Sequence, residues 1–189
     1  MMTSERAHAL NASLSTPRLV LEPQLVQHAS EYFDVMQSED IYQWISLRPP
    51  TSVEALRARW TRLESRVSLD KSAAWLNWVV RRSSDGQCLG GIDAEITTAN
   101  EATNVGYLFA PGFWGQGYAT ESVSAVVAHL SAMGVTRMVA TVTVGNEASS
   151  RVLEKVGFVR TRILSDHDTI RGVVCDDIEY VRTSEPTTA

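Results

Sequence analysis

Two short segments carry residue types at spacings that chemistry could use. The first reads Trp114-Gly115-Gln116-Gly117-Tyr118-Ala119-Thr120-Glu121 and lies where a strand pattern gives way to a helical one. Unpaired amide N–H groups and the positive end of a helix dipole converge at such a junction, which favours an anion such as a phosphate. Glycines at 115 and 117 let the backbone come close to that anion and tolerate positive φ, although they serve a plain tight turn equally well. A Walker loop would need Gly-Lys-Ser/Thr, and here Tyr118-Ala119 follow the second glycine. The dinucleotide fingerprint would put Gly or Ala where Thr120 stands. The second segment, Asn146-Glu147-Ala148-Ser149, opens a helix that closes at Gly157-Phe158. By itself Asn146 reads as an N-cap, with Ser149 completing the first turn.

Further groups could move protons. A strand over residues 88–96 puts Ile92, Ala94 and Ile96 on one face and Asp93 and Glu95 on the other, because side chains alternate. Both carboxylates read equally as solvated groups or ion-pair partners. His167, in Ser165-Asp166-His167-Asp168, is by residue type a candidate proton carrier and reads as a polar-loop residue. Cys88 and Cys175 lack the paired spacing of a metal site or a disulfide framework, so they read as small strand residues and no metal is expected.

The elements that must position these groups follow from periodicity. Residues 18–22 alternate as a half-buried strand closed by Pro23. Ala29, Tyr32, Phe33 and Met36 mark one helix; Val53, Leu56, Trp60, Leu63 and Val67 mark a second, with Thr51 and Glu54 as its capping box. Strands at 75–81 and 88–96 are joined through Asp85-Gly86, a hairpin turn. A strand at 104–110 leads through the glycine loop into a helix at 119–133, ended by Gly134. A β-branched run at 137–144 suits a central strand buried on both faces, and a short helix follows at 147–156. The strand–loop–helix–strand order implies one βαβ crossover in an otherwise antiparallel sheet, hence an α+β architecture with a mixed sheet.

The chain has 189 residues, 17 basic against 22 acidic, a net charge of −5 and 44% hydrophobic residues. That composition excludes wholesale disorder, and the charge argues against a nucleic-acid binder. No run of about eighteen apolar residues exists to span a membrane, and the N-terminus lacks a signal-peptide core, so a reduced cytoplasmic setting is expected. Residues 1–15 are polar and small and are expected to be flexible; residues 16–182 form one domain; residues 183–189 are expected to be a flexible tail.

Taken together, the Trp-Gly-X-Gly-Tyr-Ala-Thr-Glu loop and the Asn-X-X-Ser segment running on to Leu-X-Lys-X-Gly-Phe resemble the GNAT superfamily of N-acetyltransferases. The branch they resemble is that of the ribosomal-protein N-terminal acetyltransferases. The likeness begins at Thr16-Pro17-Arg18-Leu19-Val20-Leu21, passes through Gly106-Tyr107-Leu108, and ends at Gly172, Asp176 and Tyr180. It implies the GNAT fold with a splayed strand pair, acetyl-coenzyme A as donor, and a primary amine as acceptor, either a small molecule or a protein N-terminus.

The resemblance also implies a site. The pyrophosphate would lie against amides of residues 114–119, with Gln116 and Thr120 in the same loop. Pantetheine would add like a strand to Tyr107, Leu108, Phe109 and Ala110. Asn146 would contact the pantetheine arm. Ser149 would sit near the sulfur and protonate the leaving thiolate. The amine would attack the thioester directly, with the Leu108 N–H on the oxyanion and Glu95, then Asp93, as candidate general bases. Trp44 falls in the region that lines the acceptor cleft in relatives. Gly112 stands where relatives often carry Gln or Arg, and Asn104 where many carry an acid; the latter leaves a non-catalytic acetyl-coenzyme A-binding module as the alternative. A monomer or a homodimer is expected, dimers being common among relatives.

Overall fold

The computed structural model describes residues 1–184. The elements run α1 (Ser4–Leu10), β1 (Leu14–Ser15), β2 (Leu19–Pro23), α2 (Ala29–Val35), α3 (Val53–Leu63), β3 (Ala73–Arg82), β4 (Cys88–Thr97) and β5 (Glu101–Phe109). They continue with α4 (Tyr118–Ala132), β6 (Arg137–Thr143), α5 (Glu147–Lys155), β7 (Val159–Ile170) and β8 (Val173–Thr183). The eight strands form one sheet in the order β1-β2-β3-β4-β5-β6-β8-β7. All neighbouring strands are antiparallel except β5 and β6, which the α4 crossover makes parallel. This is the mixed α+β sheet the element order predicts.

Each sheet face buries its own core. One face packs Leu19, Leu21, Leu76, Trp78 and Ile92 with Val123, Val126, Val127 and Leu130 of α4. Those helical residues recur at three- and four-residue intervals, so a single stripe meets the sheet. The other face packs Val79 and Cys88 with Tyr32 and Val35 of α2 and Leu56 and Trp60 of α3.

Several expectations are corrected. Residues 1–15 are not loose: Thr3 caps α1, Met2, Ala7 and Leu10 are buried, and Arg6 donates to the Met133 carbonyl at 2.6 Å. A seven-residue helix has no useful stability alone, so its order comes from tertiary burial that a polar-looking sequence conceals. Helix α3 is capped by Ser52, which accepts from the Ala55 N–H, and not by Thr51. It stops at Leu63; Arg66 turns the chain at positive φ, and Val67 pairs with Ala74 instead of extending the helix. The polar loop expected at Ser165-Asp166-His167-Asp168 is strand, because β7 runs on to Ile170 through a register break between Leu164 and Asp168. As the sheet's last strand, exposed on most of its length, β7 has no apolar alternation to betray it. The tail expected at 183–189 begins with Thr183 inside β8 and Ser184 bonded to the Thr136 carbonyl at 2.8 Å; its remainder lies outside the described residues.

Candidate active site

The site begins where two strands part. β5 and β6 pair only at Glu101–Arg137 and Ala102–Met138, then diverge. The opening enters a cleft of about 640 Å³ lined by β5, β6, the glycine loop, the start of α5 and residues 41–47. Because β5 has moved away, Thr141 on β6 is exposed into this cleft, which corrects the expectation of a strand buried on both faces.

At one end the glycine loop meets α4. Gly115 and Gly117 both have positive φ, 72° and 81°, and Gly117 occupies the N-cap without any side-chain cap. Among the described residues, the amides of residues 115–120 have no hydrogen-bond partner, whereas the Trp114 amide is already bonded to the Pro111 carbonyl at 3.1 Å. Gln116 turns back to the Gly112 carbonyl at 2.8 Å and does not line the cleft; the Trp114 indole donates to the Phe109 carbonyl at 2.7 Å. Both side chains therefore shape the loop itself.

Arg18 holds this loop from outside, a role the sequence reading missed. Its guanidinium stacks 4.6 Å over the Tyr118 ring, donates to the Gln116 carbonyl at 3.1 Å and pairs with Glu121 at 2.6 Å. Thr16 also donates to Glu121, at 2.5 Å. Burial pushes the Glu121 carboxyl up, yet the bonds from Thr16 and Arg18 outweigh it and hold its pKa below the usual range.

Backbone direction on β5 decides which amides face the gap. A Cβ on Gly90 would collide with the Leu108 carbonyl, so that carbonyl points at β4, and Ala110 donates to Leu89 at 2.9 Å. Strand alternation then turns the N–H groups of Tyr107 and Phe109 toward the gap and that of Leu108 away from it. The Leu108 N–H is thus misplaced for an oxyanion in the gap.

Across the gap, Asn146 caps α5 by accepting from the Ser149 N–H at 3.1 Å, as its residue type alone suggests, and it also lines the cleft. Ser149 Oγ lies 2.6 Å from the Tyr107 hydroxyl, which is also 3.0 Å from the Ser149 carbonyl. Burial pushes the Tyr107 phenol up to about 12, with the Ser149 hydrogen bond opposing. The Tyr107 side chain was not singled out from sequence; a Gly-Tyr pair on an alternating strand gives no sign of a partner some forty residues on.

The two candidate carboxylates separate. Asp93 stands opposite Gly106 and lines the cleft; a Cβ on Gly106 would sit 2.8 Å from Asp93 Oδ1, so the glycine keeps that carboxylate uncovered. Asn104 donates to Asp93 Oδ2 at 3.0 Å. Desolvation by the surrounding protein raises the Asp93 pKa, against the opposing effects of Arg59 and Asn104. Glu95, two residues on, is held by the Trp75 indole at 3.1 Å and Thr103 at 3.0 Å and does not line the cleft. His167 is paired with Asp177 at 2.8 Å, outside the lining.

Trp44 lines the opposite wall, its ring 3.5 Å from where a Gly145 Cβ would be. Cys88 is buried with its thiol pushed up to about 11, and neither cysteine reaches the cleft. Among the described residues no helix is long and apolar enough to cross a membrane.

Comparison with known proteins agrees with this architecture. Residues 18–159 match the model of the acetyltransferase (GNAT) domain. The uncharacterised N-acetyltransferase YoaA of Bacillus subtilis (strain 168) is 26% identical over 169 residues, covering 88% of this chain and 94% of that protein. The fold is similar to that of Mycobacterium smegmatis RimJ, solved with a coenzyme A disulfide, at TM-score 0.81 and 20% identity over 93% of this chain and 89% of that one. It is also similar to RimL, a ribosomal L7/L12 α-N-protein acetyltransferase solved with coenzyme A, at TM-score 0.80 and 19% identity over 91% and 98%. With a family match across most of its length and a sheet that splays where the motifs meet, the chain belongs to the GNAT family and is an N-acetyltransferase.

Proposed function

We propose that the protein transfers an acetyl group from acetyl-coenzyme A to a primary amine in the cleft between β5 and β6, by direct attack. The observation that carries this reading is the splay. It leaves unpaired backbone beside the glycine loop, with Asp93 on one side and Ser149 on the other.

The free amides of residues 115–120, at the positive end of α4, suit a diphosphate. The gap-facing N–H groups of Tyr107 and Phe109 and the Tyr107 carbonyl suit an extended chain of amides, the Phe109 carbonyl being held by the Trp114 indole. When bound, the donor supplies an activated thioester. An amine is mostly ammonium at neutral pH, so a base must take its proton before it can attack, and we assign that role to Asp93. A raised pKa makes this carboxylate a better proton acceptor than an ordinary aspartate. The N–H of Tyr107 or Phe109, in place of Leu108, is suited to hold the developing oxyanion. Ser149 donates a proton to the leaving sulfur, and Tyr107 supports the serine through their shared hydrogen bond.

Calorimetry with coenzyme A tests the donor half: no affinity in folded protein would remove the reading. Coenzyme A release, followed with a thiol reagent over a panel of amines and peptides, tests the transfer half.

A further inference from the structure

The acceptor end of the cleft is more acidic than one amine requires. Asp93 from β4, Asp168 from β7 and Asp177 from β8 all line it, while the cationic lining side chains, Arg151 and Lys155, belong to α5. Among the described residues none of the three aspartates has an arginine or lysine within ion-pair distance. Arg59 acts on Asp93 from a side pocket beneath it.

Asp177 is the informative member. It is only 4% exposed; its Oδ2 bonds to His167 Nδ1 at 2.8 Å, and its Oδ1 is a buried side-chain oxygen without a hydrogen-bond partner. A buried acceptor is ordinarily satisfied, so an orphan in a residue that lines a cleft points to a donor brought by a ligand.

Placement supports this. Asp177 stands opposite Thr143 on β6, and the Thr143 hydroxyl contacts the Trp44 carbonyl at 3.4 Å, on the acceptor wall. Asp93 is on β4, three strands away in the sheet order with the splayed β5–β6 gap between, so the two backbones are at least about 14 Å apart. Ile41, Ile45, Leu47 and Trp44 line the same cleft with apolar surface. Carboxylates set apart in a cleft with apolar walls match a methylene chain with a positive charge at each end.

Resting on the acetyl-transfer reading above, we infer that the acceptor is an aliphatic amine with a second protonated nitrogen, held by Asp177 and Asp168 while Asp93 faces the nitrogen to be acetylated. An ammonium group offers three donors, enough for Asp177 Oδ1 and an Asp168 oxygen together.

The test is calorimetry on the full chain loaded with coenzyme A, comparing butylamine with 1,4-diaminobutane and a longer linear triamine. The expected result is at least tenfold tighter binding of a di- or triamine than of the monoamine, with the advantage shrinking as salt rises. Asp177→Asn should bring that ratio toward one. Should this variant not fold, Asp168→Asn and the salt dependence of the unmodified protein carry the same test. Equal binding of mono- and diamines, or an equal loss for both in the variants, overturns the inference. A peptide with lysine second binding where every diamine fails also overturns it. If coenzyme A does not bind, the donor reading falls separately, and the amine comparison is run on the unloaded protein.

Discussion

The Tyr107 hydroxyl lies 2.6 Å from Ser149 Oγ, tying β5 to the first turn of α5 across the gap where the sheet opens. A pair this close acts as a unit. Ser149→Ala is expected to lower kcat by about 10²-fold, within the range for a proton donor. Tyr107→Phe should lower it by about 10-fold, and the double variant no further than the worse single one, since coupled residues are not additive. Steady-state kinetics on the three variants decides it; additive losses would separate the two residues.

Asp93→Asn should reduce kcat/KM by about 10²-fold or more, with Glu95→Gln changing it less than threefold. The pH dependence has a definite sign. Only the ionised carboxylate accepts a proton, so activity falls as pH drops through the raised Asp93 pKa. Stability moves oppositely: an acid whose folded pKa is raised opposes folding once ionised, so this site destabilises as pH rises through that range. Asp93→Asn should therefore keep or raise Tm at pH 7 while activity collapses, which thermal melts and kinetics show together.

Gly106→Ala tests whether Asp93 must stay uncovered. The added Cβ would meet Asp93 Oδ1 at 2.8 Å, closer than real contacts allow, so the carboxylate has to shift. The expected outcome is a folded protein with at least tenfold lower kcat and coenzyme A affinity within about twofold of normal.

Arg18→Ala should weaken coenzyme A binding by about three- to tenfold, because the loop loses its bond to Gln116, its stacking on Tyr118 and its Glu121 partner. Glu121 adds a pH signature. Its folded pKa is lowered, so its contribution is present above the ordinary glutamate range and is lost as pH falls through the folded value. Arg18→Ala should therefore cost more Tm at pH 7 than near pH 3.

Gly117→Ala forces an alanine to φ 81° at the N-cap of α4, at a cost of roughly 1–2 kcal/mol. Lower Tm with coenzyme A binding weakened more than tenfold is expected; retained binding would mean the free amides do not carry the phosphate contact.

Much of this protein was legible in the chain itself. Local pattern placed the β3–β4 hairpin, β5, α4, β6 and α5: a helical stripe for α4, a β-branched run for β6, and turn or cap residues at Asp85-Gly86, Pro111-Gly112, Asn146 and Gly157 for the rest. The glycine loop and the Asn146–Ser149 turn were readable because a helix start demands particular residues locally. What failed was what local pattern does not encode: α1 owes its order to burial, β7 is an exposed last strand without alternation, and the α3 cap differs by one residue. Only the tertiary structure separated Asp93 from Glu95, two acids on one strand face, by putting a glycine beside the first and an indole beside the second. It alone turned Leu108 toward β4, joined Tyr107 to Ser149, and left Asp177 with an unpartnered oxygen in a residue that lines the cleft. The reason is common to all of these: spacing along a chain specifies repeats and turns, whereas a side chain's partners and desolvation depend on strands that meet only after folding.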